Sequence, residues 1–166
     1  RRHTRLLTVT GVQTCALPIS EQRFDYSVLG DTVNLASRLE GQSKTYGVSI
    51  VAGAATAADT PELAWLELDL IRVKGKDKAV QIFALLGDET VAAEPWFRLA
   101  RMAQAEMLVA YRAREWSLAR IALGRVRQAG GGQLDDLCDL FERRLKAFAE
   151  NAPAEPWDGV YAAAEK

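Results

Sequence analysis

The segment from Phe24 to Glu40 constrains the fold of this chain more than any other, because several local signals agree within it. Its first part alternates apolar and polar residues at a period of two, which predicts a half-buried β-strand. Gly30 then supplies a turn, and Asp31 is a residue type that commonly caps the N-terminus of a helix. We expect that helix to run to about Thr45, and the C-cap-like Gly47 to separate it from the next strand.

Two polar side chains of this helix, Asn34 and Arg38, are four residues apart and therefore lie on one face. The apolar residues of the helix share a different arc: Val33, Leu35, Ala36 and Leu39. Spacing alone favours a polar face that is simply solvated, and a ligand site built from an amide and a guanidinium is the alternative.

The same residues resemble a known family. The pattern Tyr-x-x-x-Gly-Asp-x-Val-Asn-x-Ala-x-Arg-Leu-Glu, from Tyr26 to Glu40, resembles the most characteristic segment of the class III nucleotide cyclases. Val73-Lys-Gly-Lys76 resembles their last hairpin, and the resemblance runs from about residue 20 to residue 87. It implies an α+β fold, with a partial, ferredoxin-like cyclase domain over residues 20–88 and an α-helical tail over residues 89–166.

The resemblance implies an adenylate cyclase, in which the ribose 3′-oxygen of ATP attacks the α-phosphorus and releases pyrophosphate and 3′,5′-cyclic AMP. Arg38 matches the family's helix arginine and would stabilise charge on the α-phosphate, while Asn34 would orient the ribose. Lys74 matches the hairpin lysine and would pair with the outer phosphates. Ser27 matches the purine-reading position, where a hydroxyl favours adenine, and a guanylate cyclase is the alternative.

Metal ions are implied by the resemblance as well, because this reaction uses two of them, Mg²⁺ or Mn²⁺. The family's two metal-binding aspartates lie upstream of the matched motif, and Asp25 and Asp31 do not occupy their positions. We therefore expect no metal ligand in this fragment. In the family the site forms between two protomers, so we expect the fragment to hold one side of it, to be inactive alone, and to require a second cyclase protomer, as in a homodimer of the parent enzyme.

Residues 1–19 require a separate interpretation. The chain does not begin with Met, and polar residues interrupt the apolar run that follows its first arginines, which is not typical of a secretory signal. The string from Val9 to Ile19 resembles the translation of a sequencing-adapter oligonucleotide. We therefore expect a non-native leader over residues 1–19, in which His3 and Cys15 carry no function.

Beyond Gly47, local patterns predict a short strand over residues 48–51 and a helical turn over residues 54–58. Two strand-like segments, residues 63–73 and 79–86, flank a lysine-rich turn and predict a β-hairpin. The lysines of that turn indicate either a solvated loop or a site for an anion.

The remaining sequence is helical in pattern, with apolar residues at spacings of three and four from Trp96 to Tyr111. A second helix is expected from Trp116 to the glycines at 130–132, and a third from Leu134 to Phe148. Residues 110–119 resemble the turn of one degenerate tetratricopeptide-type hairpin, too few repeats for an independent array. We expect these helices to pack on the catalytic domain or on a partner copy. A non-catalytic module whose tail docks partners is the competing function.

Charge and hydropathy exclude some classes of function. A net charge of -1 provides no electrostatic footprint for nucleic acid or an anionic membrane surface. No apolar run reaches the length of about 18 residues that a membrane span needs, so we expect no membrane contact by this segment and a cytoplasmic location, with the parent's anchoring left open. Cys138, among apolar neighbours, is expected to be a buried filler.

Overall fold

The computed structural model describes residues 13–20, 23–29, 31–72, 79–154 and 157–162. The chain divides into two compact units, Arg1–Arg38 and Leu39–Lys166. No helix in these described ranges is long and apolar enough to cross a membrane.

The first unit contains a two-stranded antiparallel sheet of β1 (Gln13–Ser20) and β2 (Arg23–Leu29). Gln13 pairs with Leu29 at one end, and the register shifts between Pro18 and Ser20. β2 confirms the strand expected from the alternating pattern. All of β1 except Ser20 lies within the predicted leader, and the origin of that leader stays a prediction.

The helix that follows, α1 (Asp31–Glu40), confirms the predicted strand-to-helix succession but ends five residues before Thr45. The next residue, Gly41, keeps helical dihedral angles (φ −59°, ψ −22°), and a second short helix, α2 (Gln42–Tyr46), continues from it. Glycine is a poor helix former, which explains why one predicted helix becomes two. Gly47 then ends α2 in the left-handed conformation (φ 65°, ψ 34°), as its C-cap position predicted.

The second unit is built on a four-stranded sheet in the order β3-β5-β4-β6. β3 (Val51–Gly53) precedes the short helix α3 (Ala54–Asp59), and β4 (Trp65–Arg72) and β5 (Val80–Leu85) form the predicted antiparallel hairpin. β3 begins three residues later than the predicted strand over 48–51. β6 (Tyr161–Ala162), near the C-terminus, pairs in parallel with β4 and was not predicted.

Among the described residues, four helices lie between β5 and β6. The three that were predicted are present as α5 (Pro95–Arg112), α6 (Trp116–Gly130) and α7 (Asp135–Glu150). A short additional helix, α4 (Glu89–Ala93), begins after Asp88, whose carboxylate accepts hydrogen bonds from the backbone N–H groups of Thr90 and Val91. This is a local N-cap of the ordinary kind.

The helices pack directly on the sheet. On α5, the amide of Gln104 donates to the carbonyl oxygen of Glu67 at 3.1 Å, and Arg112 forms an ion pair of 2.7 Å with the Glu67 side chain. The C-terminal segment returns to the same strand, where Asp158 forms an ion pair of 2.6 Å with Arg72. α5 and the C-terminal segment are therefore joined to the sheet at Glu67 and Arg72 of β4.

Aromatic side chains from α5, α6, α7 and the C-terminal segment cluster around Tyr111, which is fully buried. Its ring centroid lies 5.9 Å from that of Trp116, 5.8 Å from Phe148 and 5.4 Å from Trp157. Such pairs favour edge-on and tilted geometries and contribute beyond their buried area. Cys138 is completely buried, as expected, and its burial raises the pKa of the thiol to about 11.

Candidate functional site

The polar face of α1 is the first part of the candidate site. Asn34 and Arg38 are both exposed and lie one turn apart on this helix, as their spacing predicted. Leu39 is only 3% exposed, so it anchors the C-terminal end of the helix. The predicted apolar arc is narrower than expected, since Ala36 is exposed and only Val33 and Leu35 are half-buried beside Leu39.

The structure says less about the other two predicted site residues, Ser27 and Lys74. Ser27 lies in β2, the strand that leads into α1, and pairs with Cys15 of β1. Lys74 lies outside the described residues, in the connection between β4 and β5. The structure therefore brings Asn34 and Arg38 together on one helix face, and their relation to Lys74 stays a prediction.

The described part of the chain also bears on metal binding. It contains no group of three or more His, Cys, Asp or Glu side chains that could hold a metal ion. Within these described ranges, no set of side chains fits the two ions that the resemblance implied, and no chemical step is assigned to a metal there.

A buried polar network was missed by sequence reasoning. Tyr46, Asp69 and Arg144 are 0%, 0% and 5% exposed. The Tyr46 hydroxyl donates to Asp69 Oδ2 at 2.7 Å, and Arg144 Nη1 donates to the same oxygen at 2.6 Å. Asp69 Oδ1 accepts from the backbone N–H of Leu70 at 2.8 Å, so both carboxylate oxygens are bonded.

The electrostatics of this network favour a fixed charge state. Burial, together with the negative charge of Asp69, raises the pKa of Tyr46 well above its ordinary range, so the hydroxyl stays protonated and can donate. Burial alone would lower the pKa of Arg144, but the adjacent Tyr46 and Asp69 raise it further than burial lowers it. The guanidinium therefore remains charged in the core and ties α7 to α2 and β4.

Two signals in the sequence could have indicated this network. Asp69 interrupts the apolar run of β4. In the structure, a register shift between Glu67 and Asp69 then places both Leu68 and Asp69 in the core. Arg144 follows Phe141 by three residues and therefore belongs to the apolar face of α7. Neither signal shows which residues Asp69 and Arg144 contact, because residues 46, 69 and 144 meet only in the folded chain.

Comparison with known proteins shows what the first half of the chain is similar to. Residues 9–87 match the adenylate and guanylate cyclase catalytic domain. Adenylate cyclase 1 of Rhizobium meliloti (strain 1021) is 35% identical over 85 residues, which are 51% of this chain and 13% of that protein. Adenylate cyclase of Anabaena cylindrica is 42% identical over 65 residues, which are 37% of this chain and 13% of that protein. No solved structure matches the chain.

These matches confirm the predicted resemblance to class III nucleotide cyclases for this segment. The chain spans only 13% of the length of each of the two relatives, so their full activity is not carried over as a finding. The family match begins at residue 9, within the predicted leader, and ends one residue before the predicted domain boundary at 88.

Proposed function

We propose that this chain, which carries part of a class III nucleotide cyclase catalytic domain, is a C-terminal fragment of an adenylate cyclase. The parent enzyme would convert ATP to 3′,5′-cyclic AMP and pyrophosphate in cyclic-nucleotide signalling. The observation that carries the proposal is the cyclase match over residues 9–87, supported by the exposed Asn34 and Arg38 at the motif's amide and arginine positions.

The proposed roles follow from the chemistry of the reacting groups. As the 3′-oxygen attacks, negative charge develops on the oxygens of the α-phosphate, and a guanidinium can bind two of them at once. Arg38 would supply that guanidinium. Asn34 would hold the ribose by hydrogen bonds, so that its 3′-oxygen faces the phosphorus. Lys74 would neutralise the pyrophosphate that leaves.

A second protomer completes this site in the proposal. The family generally uses divalent metal ions, here Mg²⁺ or Mn²⁺, which would activate the nucleophile and neutralise phosphate charge. Since the described residues offer no metal cluster, the ligands would belong to the other protomer of a homodimer of the parent. The fragment would contribute the purine, ribose and phosphate contacts, and would be inactive alone. Because the substrate is ATP, the proposed location is cytoplasmic.

The base that the site selects depends on Ser27. Its hydroxyl can donate or accept a hydrogen bond, which suits the edge of adenine. Both named relatives are adenylate cyclases, which agrees with adenine. A guanylate cyclase is the alternative, and it would show as cyclic GMP formation by the parent enzyme when GTP replaces ATP.

A complementation experiment tests the proposal. The fragment is mixed with a full-length parent enzyme that keeps its metal ligands but has the arginine equivalent to Arg38 replaced by alanine. We expect the fragment alone to form no cyclic AMP, and the mixture to form it at a rate that rises with fragment concentration. Rescue should be weak, because binding to the parent must also stabilise an incomplete cyclase domain.

Two fragment variants make this experiment specific. The double variant Asn34→Ala, Arg38→Ala should give no rescue, whereas Arg143→Ala, which removes an exposed arginine of α7, should rescue as well as the unchanged fragment. Rescue that survives the double variant would contradict the assignment of these residues to the site. Complete absence of rescue by the unchanged fragment, at concentrations where it is folded, would count against the proposal as well.

A further inference from the structure

The outer face of the α5–α6 hairpin exposes several large apolar side chains. Five residues on these two helices are each more than half exposed: Leu99 (60%), Met102 (62%), Val109 (68%), Leu118 (55%) and Ile121 (62%). Single exposed apolar residues are ordinary on protein surfaces, but a contiguous group on one face marks an interaction surface. This group is called the hairpin face below.

The hairpin face is continuous along the seam between the two helices. One groove of about 570 Å³ is lined by Leu99 and Met102 of α5 and by residues near the end of α6. A second groove of about 460 Å³ is lined by Val109, Leu118 and Ile121. Both grooves share Glu106 and Arg125, so these two residues mark the centre of the face.

The opposite side of α6 differs in character. Where α6 meets α7, ion pairs flank the seam: Arg120 with Glu142 at 3.0 Å, and Arg127 with Asp139 at 2.6 Å. The exposed surface there is the charged kind that suits solvent. Exposed apolar residues are therefore not a general property of α6, and they concentrate on the side that faces away from α7.

The charges at the centre of the hairpin face indicate what could cover it. Glu106 and Arg125 form an ion pair of 2.6 Å, and their side chains are 51% and 55% exposed. A face that carries one acid and one base at its centre is complementary to itself under a two-fold rotation. In that arrangement Glu106 of each copy meets Arg125 of the other, and the four charges alternate in sign, so none is buried without a partner.

The size of the face agrees with a weak dimer. At 1.5 Å per residue, the 15 residues of α6 span about 22 Å, and two packed helices are about 20 Å wide, so the face covers roughly 450 Å² per copy. A two-fold interface would bury roughly 900 Å² in all, close to the lower limit of about 1,000 Å² for specific association.

We propose that the hairpin face binds a second copy of this chain in a two-fold interface centred on Glu106 and Arg125. The association is expected at concentrations on the order of micromolar, in keeping with its small area. It does not depend on the proposed cyclase function, because none of the residues that carry it belongs to residues 9–87. If both hold, the tail would help to bring two cyclase segments together.

Charge reversal at the centre tests this proposal in the full chain. Sedimentation equilibrium should show a monomer–dimer equilibrium for the unchanged protein. Glu106→Arg alone and Arg125→Glu alone should each weaken the dimer by about tenfold or more, because each sets like charges against each other across the two-fold axis. An equimolar mixture of the two variants should associate again, since each arginine at 106 then faces a glutamate at 125.

A matched control uses the other side of α6. Arg120→Glu reverses a charge of similar exposure at the α6–α7 seam, and the dimerisation constant should not change. Circular dichroism establishes that each variant is folded. A chain that stays monomeric at all concentrations would overturn the proposal. So would a dimer unaffected by either central variant, or a mixture that fails to associate.

Ile121→Asp offers an independent check, because it removes apolar contact without touching the central pair, and it should also favour the monomer.

Discussion

Arg38 on α1 and Arg144 on α7 are both arginines of helices, and their surroundings in the structure differ. Arg38 is exposed near the C-terminal end of the motif Tyr26 to Glu40. Arg144 is 5% exposed and bonded to the buried Asp69 and Tyr46. Arg38 is thus exposed to solvent, whereas Arg144 links α7 to α2 and β4. Burial and partners distinguish the two environments, and residue type does not.

The largest expected effect on stability comes from breaking the buried network. Arg144→Ala removes the cation that neutralises Asp69 and leaves a buried carboxylate without it, which should lower the free energy of unfolding by about 3–5 kcal/mol. Urea denaturation of the chain measures this loss. The neighbouring Arg143 is exposed, so Arg143→Ala serves as the matched control and should change stability by less than about 0.5 kcal/mol.

Equal losses for the two α7 variants would contradict the distinction between a structural arginine and a solvated one. A loss confined to Arg144→Ala would sharpen it, because the two residues are adjacent on one helix and differ only in what they contact.

A smaller effect is expected where α7 approaches the end of α2. A Cβ atom on Gly47 would lie 2.1 Å from the Cβ of Asp136, and Gly47 has a φ of +65°. Gly47→Ala should therefore lower the free energy of unfolding by about 1–3 kcal/mol, from backbone strain and overpacking together. Gly131→Ala is the matched control, because Gly131 has a similar φ of +55° but nothing within 4 Å of its Cβ position.

The difference between these two glycine variants isolates the close contact of α7 with α2. Thermal or urea unfolding of both variants measures it. If Gly131→Ala cost as much as Gly47→Ala, strain alone would account for both losses, and the tail would not be packed this tightly on α2.

Local patterns predicted most elements of the fold. Alternation at β2, the cap at Gly47, the β4–β5 hairpin and the periodicity of α5 to α7 are properties of neighbouring residues, and the structure confirms each. The break at Gly41 was missed because a glycine can continue a helix or interrupt it, and only the hydrogen bonds decide.

Elements fixed by distant contacts could not be predicted. β6 is two residues long and forms by pairing with β4 some ninety positions earlier, so no local pattern marks it. The Tyr46–Asp69–Arg144 network depends on a β-bulge and on the docking of α7, neither of which is visible in the sequence. The sequence left open whether the helices pack on the preceding segment or on a partner copy, and the folded chain shows contacts of α5 and the C-terminal segment with Glu67 and Arg72 of β4.

For the candidate site, the motif predicted only the relative placement of residues within one helix. The spacing of Asn34 and Arg38 sufficed to place them on one face of α1, since both lie in a single helix. The proposed contributions of Ser27 and Lys74 depend on how separate segments assemble around a substrate, and they stay predictions.

We propose that Arg38 acts on the substrate and does not hold the fold, and steady-state kinetics of the full-length parent enzyme is the sharpest test of this role. Arg38→Ala should lower kcat by about 10²–10³, the usual loss for one transition-state donor, and should leave the free energy of unfolding within about 0.5 kcal/mol of the parent. A kcat equal to that of the parent enzyme would contradict the account and return Arg38 to a solvated helix face.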